Sequence, residues 1–145
     1  MTDEYRRRWA HNTRPYPGIP ALLSELQGLK IPMAVLSNKP HEFTQLMVDK
    51  FFCEWSFCIV LGHEASMPPK PDPAGALQIA EELNIAASEF IYLGDTNTDM
   101  QTANAAGMFA VGALWGFRTA EELLSSGAQV IVEKPSEVLN LLQKC

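Results

Sequence analysis

Between residues 20 and 142, short runs in which every position is apolar alternate with longer stretches whose apolar residues recur every three or four positions. The short runs are Met33-Ala34-Val35-Leu36, Phe57-Cys58-Ile59-Val60-Leu61, Phe90-Ile91-Tyr92-Leu93, Phe109-Ala110-Val111-Gly112-Ala113-Leu114 and Val130-Ile131-Val132. A strand with one wet face alternates apolar and polar residues, so runs apolar at successive positions read as strands covered on both faces. The pattern predicts an α/β fold, a Rossmann-like parallel sheet with helices on both sides.

The helical stretches have readable limits. Pro20 falls in the first turn of a helix bearing Leu22, Leu23, Leu26 and Leu29, Pro40 begins one bearing Phe43, Leu46 and Met47, and Pro73 opens a third with Leu77, Ile79, Ala80 and Leu83. Asn97 or Thr98 is expected to cap a fourth ending at Gly107, and Thr119 a fifth ending near Gly127, with Glu121 and Glu122 in its first turn. Pro135 starts the last, carrying Val138, Leu139, Leu141 and Leu142. Residues 1–16 stand apart: Tyr5 to Trp9 reads as a short charged-aromatic helix followed by an extended Pro15-Tyr16-Pro17-Gly18 connector.

At 145 residues the chain is the size of one domain, enough to bury roughly 68–70% of its unfolded surface. A net charge of -6 gives a field that repels nucleic acid, and Arg6-Arg7-Arg8 is the one dense basic run. Cys53, Cys58 and Cys145 are odd in number with no C-x-x-C spacing, which suits free thiols in a reducing compartment; cytoplasm is the expected location. Neither a membrane span nor a secretion signal is expected. His11, His41 and His63 lack the mutual spacing of metal ligands or of a nucleophile-base pair.

In open parallel sheets, ligands bind beyond the carboxyl ends of the strands. Three runs deliver polar groups there. Ser37-Asn38 offers a hydroxyl and an amide before the Pro40 helix, suited to phosphate oxygens, although a simple helix-capping turn uses the same residues. Lys70 lies in Pro68-Pro69-Lys70-Pro71-Asp72-Pro73, where the prolines stiffen the backbone that carries it; the plainer alternative is a solvated surface lysine. Asp95 and Asp99 stand one helical turn apart after Gly94, and paired hard oxygens suit Mg²⁺, which keeps several waters. Two aspartates at a helix start, one capping and one favoured by the dipole, would look the same.

Taken together, Leu36-Ser37-Asn38, Pro69-Lys70-Pro71 and Gly94-Asp95-Thr96-Asn97-Thr98-Asp99 resemble the second, third and fourth motifs of the haloacid dehalogenase-like hydrolase superfamily. "PYPGIPALLSELQGLKIPMAVLSNKP" and "ALWGFRTAEELLSSGAQVIVEKPSEVL" are similar to its phosphoglycolate phosphatase branch. The resemblance implies phosphate binding by Ser37, Asn38 and Lys70, a catalytic charge-neutralising role for Lys70, Mg²⁺ held by Asp95 and Asp99, and hydrolysis of a small phosphorylated metabolite through an aspartyl-phosphate.

The family's nucleophile and acid/base belong to an N-terminal D-x-D-x-T motif, and Asp3 and Glu4 do not fit it. The resemblance therefore implies a truncated core: residues 1–14 as a remnant of the helical cap, 15–145 as the α/β core, and no first strand. That strand is central in the family, so two interior edges would face a gap, to be closed by direct pairing of their strands or by another copy of the chain. These 145 residues alone are expected to be inactive for want of the nucleophile. A non-catalytic phosphate- or Mg²⁺-binding domain, or an oligomerising fragment, is the alternative.

Overall fold

A computed structural model describes residues 18–51, 55–63, 68–116 and 118–143. The expectations for Tyr5–Trp9, the cap remnant, His11, Cys53 and Cys145 lie outside those residues. Helix and strand alternate along the chain as α1 (Ile19–Gly28), β1 (Ala34–Pro40), α2 (His41–Phe51), β2 (Ile59–His63), α3 (Ala74–Leu83), β3 (Ile91–Gly94), α4 (Asn97–Ala106), β4 (Phe109–Ala113), α5 (Ala120–Ser125), β5 (Val130–Val132) and α6 (Glu137–Gln143).

All strand pairs are parallel, yet they form two sheets: β1 with β2, and β3-β4-β5. The five apolar runs thus become strands as expected, but not one continuous sheet. β1 and β3 do not pair, and among the described residues each keeps a backbone edge without a strand partner. Burial reports the same break. β4, paired on both sides, is buried along Ala110–Ala113, whereas β1 and β3 are no better than half-buried although their sequences are as apolar.

Alternation along β4 builds the two layers. Met108 and Ala110 belong to a cluster with Ala76, Ala80, Met100 and Ala103 of α3 and α4 and Leu123 of α5. Val111 and Ala113 turn to the opposite face and pack on Leu22 of α1, Val132 and Val138 of α6. Each large side chain fully buried here, Met100 or Leu123, contributes roughly 1.5–3 kcal/mol. Helix α3 touches both β1 and α4, and Leu36 of β1 packs on the first cluster, so helices join the two sheets where strands do not.

Two local expectations need correcting. Strand β1 runs on through Ser37 and Asn38 to Pro40, with an irregular register after Leu36, and α2 begins only at His41. Pro40 pairs with His63 beyond that irregularity and ends the strand, a place where a missing N–H is tolerated. The cap of α4 is Thr96, whose side chain accepts from the Asp99 N–H, and not Asn97 or Thr98. Thr119 caps α5 as expected, in a reciprocal capping box with Glu122, and Gly107 closes α4 in the left-handed region at φ 79°.

Candidate active site

The carboxyl ends of β1 and β3 meet over the loop that carries Lys70. Three prolines, Pro68, Pro69 and Pro71, leave Lys70 the one backbone N–H among residues 68–71. That N–H donates to Asn38 Oδ1 at 2.7 Å, and the Lys70 carbonyl accepts from Asn38 Nδ2 at 3.1 Å. Beside Asn38, Ser37 Oγ accepts the Lys39 N–H at 3.1 Å, which leaves its own O–H to donate. Ser37, Asn38 and Lys70 line one narrow cleft with Leu36, Gly62 and His63.

The Lys70 ammonium crosses to the other sheet and pairs with Asp99 Oδ1 at 2.5 Å, the two side chains being only 13% and 10% exposed. Tyr92 of β3 donates its O–H to the same oxygen at 3.3 Å, and the Asp95 N–H donates to Asp99 Oδ2 at 3.2 Å. Asp99 is thereby held through both oxygens. Burial, with the charge of Asp99 and the bond to it behind, pushes the Tyr92 hydroxyl far above its ordinary pKa, so it stays a donor at any working pH.

Two glycines make room for the acidic pair. A Cβ on Gly94 would run into the Asp99 side chain, its Cγ 2.6 Å away, and one on Gly116 would run into Asp95, with Cγ at 2.8 Å. Glycine is demanded at both positions by close approach of a carboxylate to backbone. Asp95 pays in electrostatics for this placement: burial, then the neighbouring Asp99 charge, raise its carboxyl above the ordinary value of 3.8.

That raised value is the signature of negative charge short of a partner, and a divalent cation would supply one. The donors available are all oxygens, including Asn97 Oδ1, a buried acceptor with no donor of its own. Among the described residues no cluster of three or more His, Cys, Asp or Glu forms a complete protein cage. Two carboxylates with water completing the shell fit Mg²⁺, which sheds its waters reluctantly. Lys70 is close enough to compete for Asp99, so Asp95 is the carboxylate with the greater need of a cation.

The five residues singled out in the sequence, Ser37, Asn38, Lys70, Asp95 and Asp99, therefore lie around one point. Tyr92, Gly116 and the Thr96 cap were not foreseen. Tyr92 looked like one more apolar strand residue, seven positions before Asp99, and no local signal set it apart. Gly116 follows a strand end, the same signal that drew notice to Gly94. His41 has a structural task, its Nδ1 accepting the Gly62 N–H at 3.1 Å. A roomier groove of about 490 Å³ between α1 and α6, bordered by Leu22, Trp115 and Leu139, is apart from these groups.

A family model described as haloacid dehalogenase-like hydrolase matches residues 1–113. The phosphoglycolate phosphatase of Xanthomonas campestris pv. campestris strain 8004 is 31% identical over 124 residues, covering 85% of this chain and 56% of that protein. That of Escherichia coli K12 is 29% identical over 127 residues, covering 88% and 50%. The chain spans about half the length of the curated relatives it matches. Among solved structures, a predicted phosphatase from Clostridium acetobutylicum superposes with a TM-score of 0.85 at 26% identity, covering 99% of this chain and 68% of that one.

Proposed function

This chain belongs to the haloacid dehalogenase-like hydrolase family, and on that premise we propose that it is core machinery of a Mg²⁺-dependent phosphatase for small phosphate monoesters, phosphoglycolate foremost. The observation that carries the reading is the Lys70–Asp99 ion pair, which links the loop held by Asn38 to the helix that bears Asp99. The relatives named phosphoglycolate phosphatase support the choice of substrate.

In this reading Ser37 donates its hydroxyl to a phosphoryl oxygen and Lys70 offsets the charge of the transferring group. Asp95 and Asp99 hold Mg²⁺, which supplies further charge neutralisation when bound. Tyr92 and the Asp95 N–H keep Asp99 oriented throughout. Asp95 and Asp99 are taken up by these tasks, so the carboxylate that accepts the phosphoryl group on the aspartyl-phosphate route is a third one. No third carboxylate joins them among the described residues. In this reading the described residues bind Mg²⁺ and phosphate without turnover. A cytoplasmic setting, which keeps Cys58 a free thiol, goes with the reading.

Calorimetric titration of the chain with Mg²⁺ and with inorganic phosphate, alongside a phosphoglycolate hydrolysis assay, tests it. The expected result is Mg²⁺ binding weakened at least about tenfold in Asp95→Asn and phosphate binding weakened, but still measurable, in Lys70→Ala. Absence of both in the unaltered chain overturns the site assignment, and turnover by the chain alone overturns its inactivity.

The break between β1 and β3 favours a second reading, a non-catalytic or oligomerising unit whose sheet another copy of the chain completes. It separates from the first in the oligomeric state, taken up in the Discussion.

A further inference from the structure

Asn38 is exposed, so nothing about burial explains the orientation of its side chain. Its amide nevertheless holds both polar groups of a single backbone residue 32 positions away, accepting from the Lys70 N–H and donating to the Lys70 carbonyl. We infer that Asn38 is a positioning residue that acts on phosphate through Lys70 and not by a contact of its own. This deepens the phosphate reading above, and only the second arm of the test below rests on it.

The loop's composition makes Asn38 the pin. Pro68, Pro69 and Pro71 restrict the backbone around Lys70 and contribute no N–H, so the segment is stiff internally but has few groups with which to anchor itself. One loop donor, the Asp72 N–H, turns inward to the Pro69 carbonyl. The Lys70 N–H and carbonyl are what the segment offers to β1, and Asn38 takes both. With β1 and β3 unpaired, the relay Asn38, Lys70 backbone, Lys70 ammonium, Asp99 is a polar tie between the two sheets at their carboxyl ends. A stiff segment pinned at two points points its side chain in one direction. Unpinned, it turns as a unit and takes the ammonium away from Asp99 and from the Ser37 cleft.

An amide has two N–H groups and two acceptor sites on oxygen, so direct phosphate contact is the rival explanation. The two make different forecasts for the lysine itself. In trace labelling of the full chain with limiting acetic anhydride, read by mass spectrometry, Asn38→Ala is expected to raise the Lys70 rate about three- to tenfold, the scale of one or two lost hydrogen bonds. Lys30 and Lys134, both exposed, serve as internal references, and Asp99→Asn is the positive control. An unchanged Lys70 rate in Asn38→Ala beside a raised one in Asp99→Asn overturns the inference. So does a rise shared by all three lysines, which reports a loosened fold.

The second arm is a double-mutant cycle on inorganic phosphate affinity. Asn38→Ala is expected to weaken binding about tenfold when Lys70 is present, again the scale of one or two hydrogen bonds, and no further in the Lys70→Ala background. Equal weakening in both backgrounds means that Asn38 touches phosphate directly and overturns the inference. Failure of the unaltered chain to bind phosphate would instead count against the proposed function, and the labelling result still decides the role of Asn38.

Discussion

Asp95 carries the clearest electrostatic tension in the molecule. Burial and the nearby Asp99 raise its folded-state pKa above 3.8. Between 3.8 and that raised value the folded chain binds more protons than the unfolded chain, so stability falls as pH rises through this window and the penalty is complete above it. Asp95→Asn removes the penalty. The thermal midpoint at pH 7 is therefore expected to rise, and the fall in stability across that pH window to disappear. Mg²⁺ affinity of the same variant should fall at least about tenfold, the scale of a lost charged ligand. Lys70 shows the reverse balance. Replacing it with Met strands a carboxylate that is 10% exposed, at a cost of about 3 kcal/mol. Urea midpoints should show Lys70→Met recovering part of that loss when combined with Asp99→Asn.

At the scale of elements, caps separate stability from function. Thr96 and Thr119 cap α4 and α5 by the same hydrogen bond to the third residue of the helix. Alanine at either position should cost about 1 kcal/mol in denaturant unfolding. The residue capped in α4 is Asp99 itself, whose N–H loses its acceptor at 3.1 Å, while α5 meets no site residue through its cap. Thr96→Ala is therefore expected to weaken Mg²⁺ binding severalfold and Thr119→Ala to leave it unchanged, a contrast that titration calorimetry can read. Equal effects would mean that α4 does not set the cation site. Gly116→Ala belongs with Thr96→Ala: the added methyl would press on the Cβ and Cγ of Asp95 and shift its carboxylate, and cation affinity should drop.

The whole molecule is organised around an interruption. β3 and β1 read as covered strands, but among the described residues each stands about half-buried with one edge unpaired, and helices and the Lys70 relay bridge them. Direct closure, one of the two outcomes expected for such edges, did not occur. Pairing with another copy is the other outcome, and it can be tested. Sedimentation velocity across a wide concentration range should show dimers or larger species, shifted toward monomer by lysine substitutions at Val35 and Ile91, which bring charge to the edges. A monomer at every concentration would overturn self-association as the means by which the edges are covered.

The order of helices and strands, the parallel pairing and the presence of polar groups at strand ends could be read along the chain, because each rests on local causes. Unbroken apolar runs need cover on both faces, proline and glycine limit helices through backbone geometry, and strand ends gather polar groups in any parallel sheet. The sequence also carried the reason to expect unpaired edges. What no local pattern contains is which side chains meet across long separations. That the Asn38 amide faces the Lys70 backbone, that Tyr92 shares Asp99 with Lys70, and that Gly116 lies close to Asp95 depend on how the two sheets are placed relative to each other. Distances between the sheets are fixed by the packing of α3 and α4 between them, a property of the assembled layers and not of any one segment.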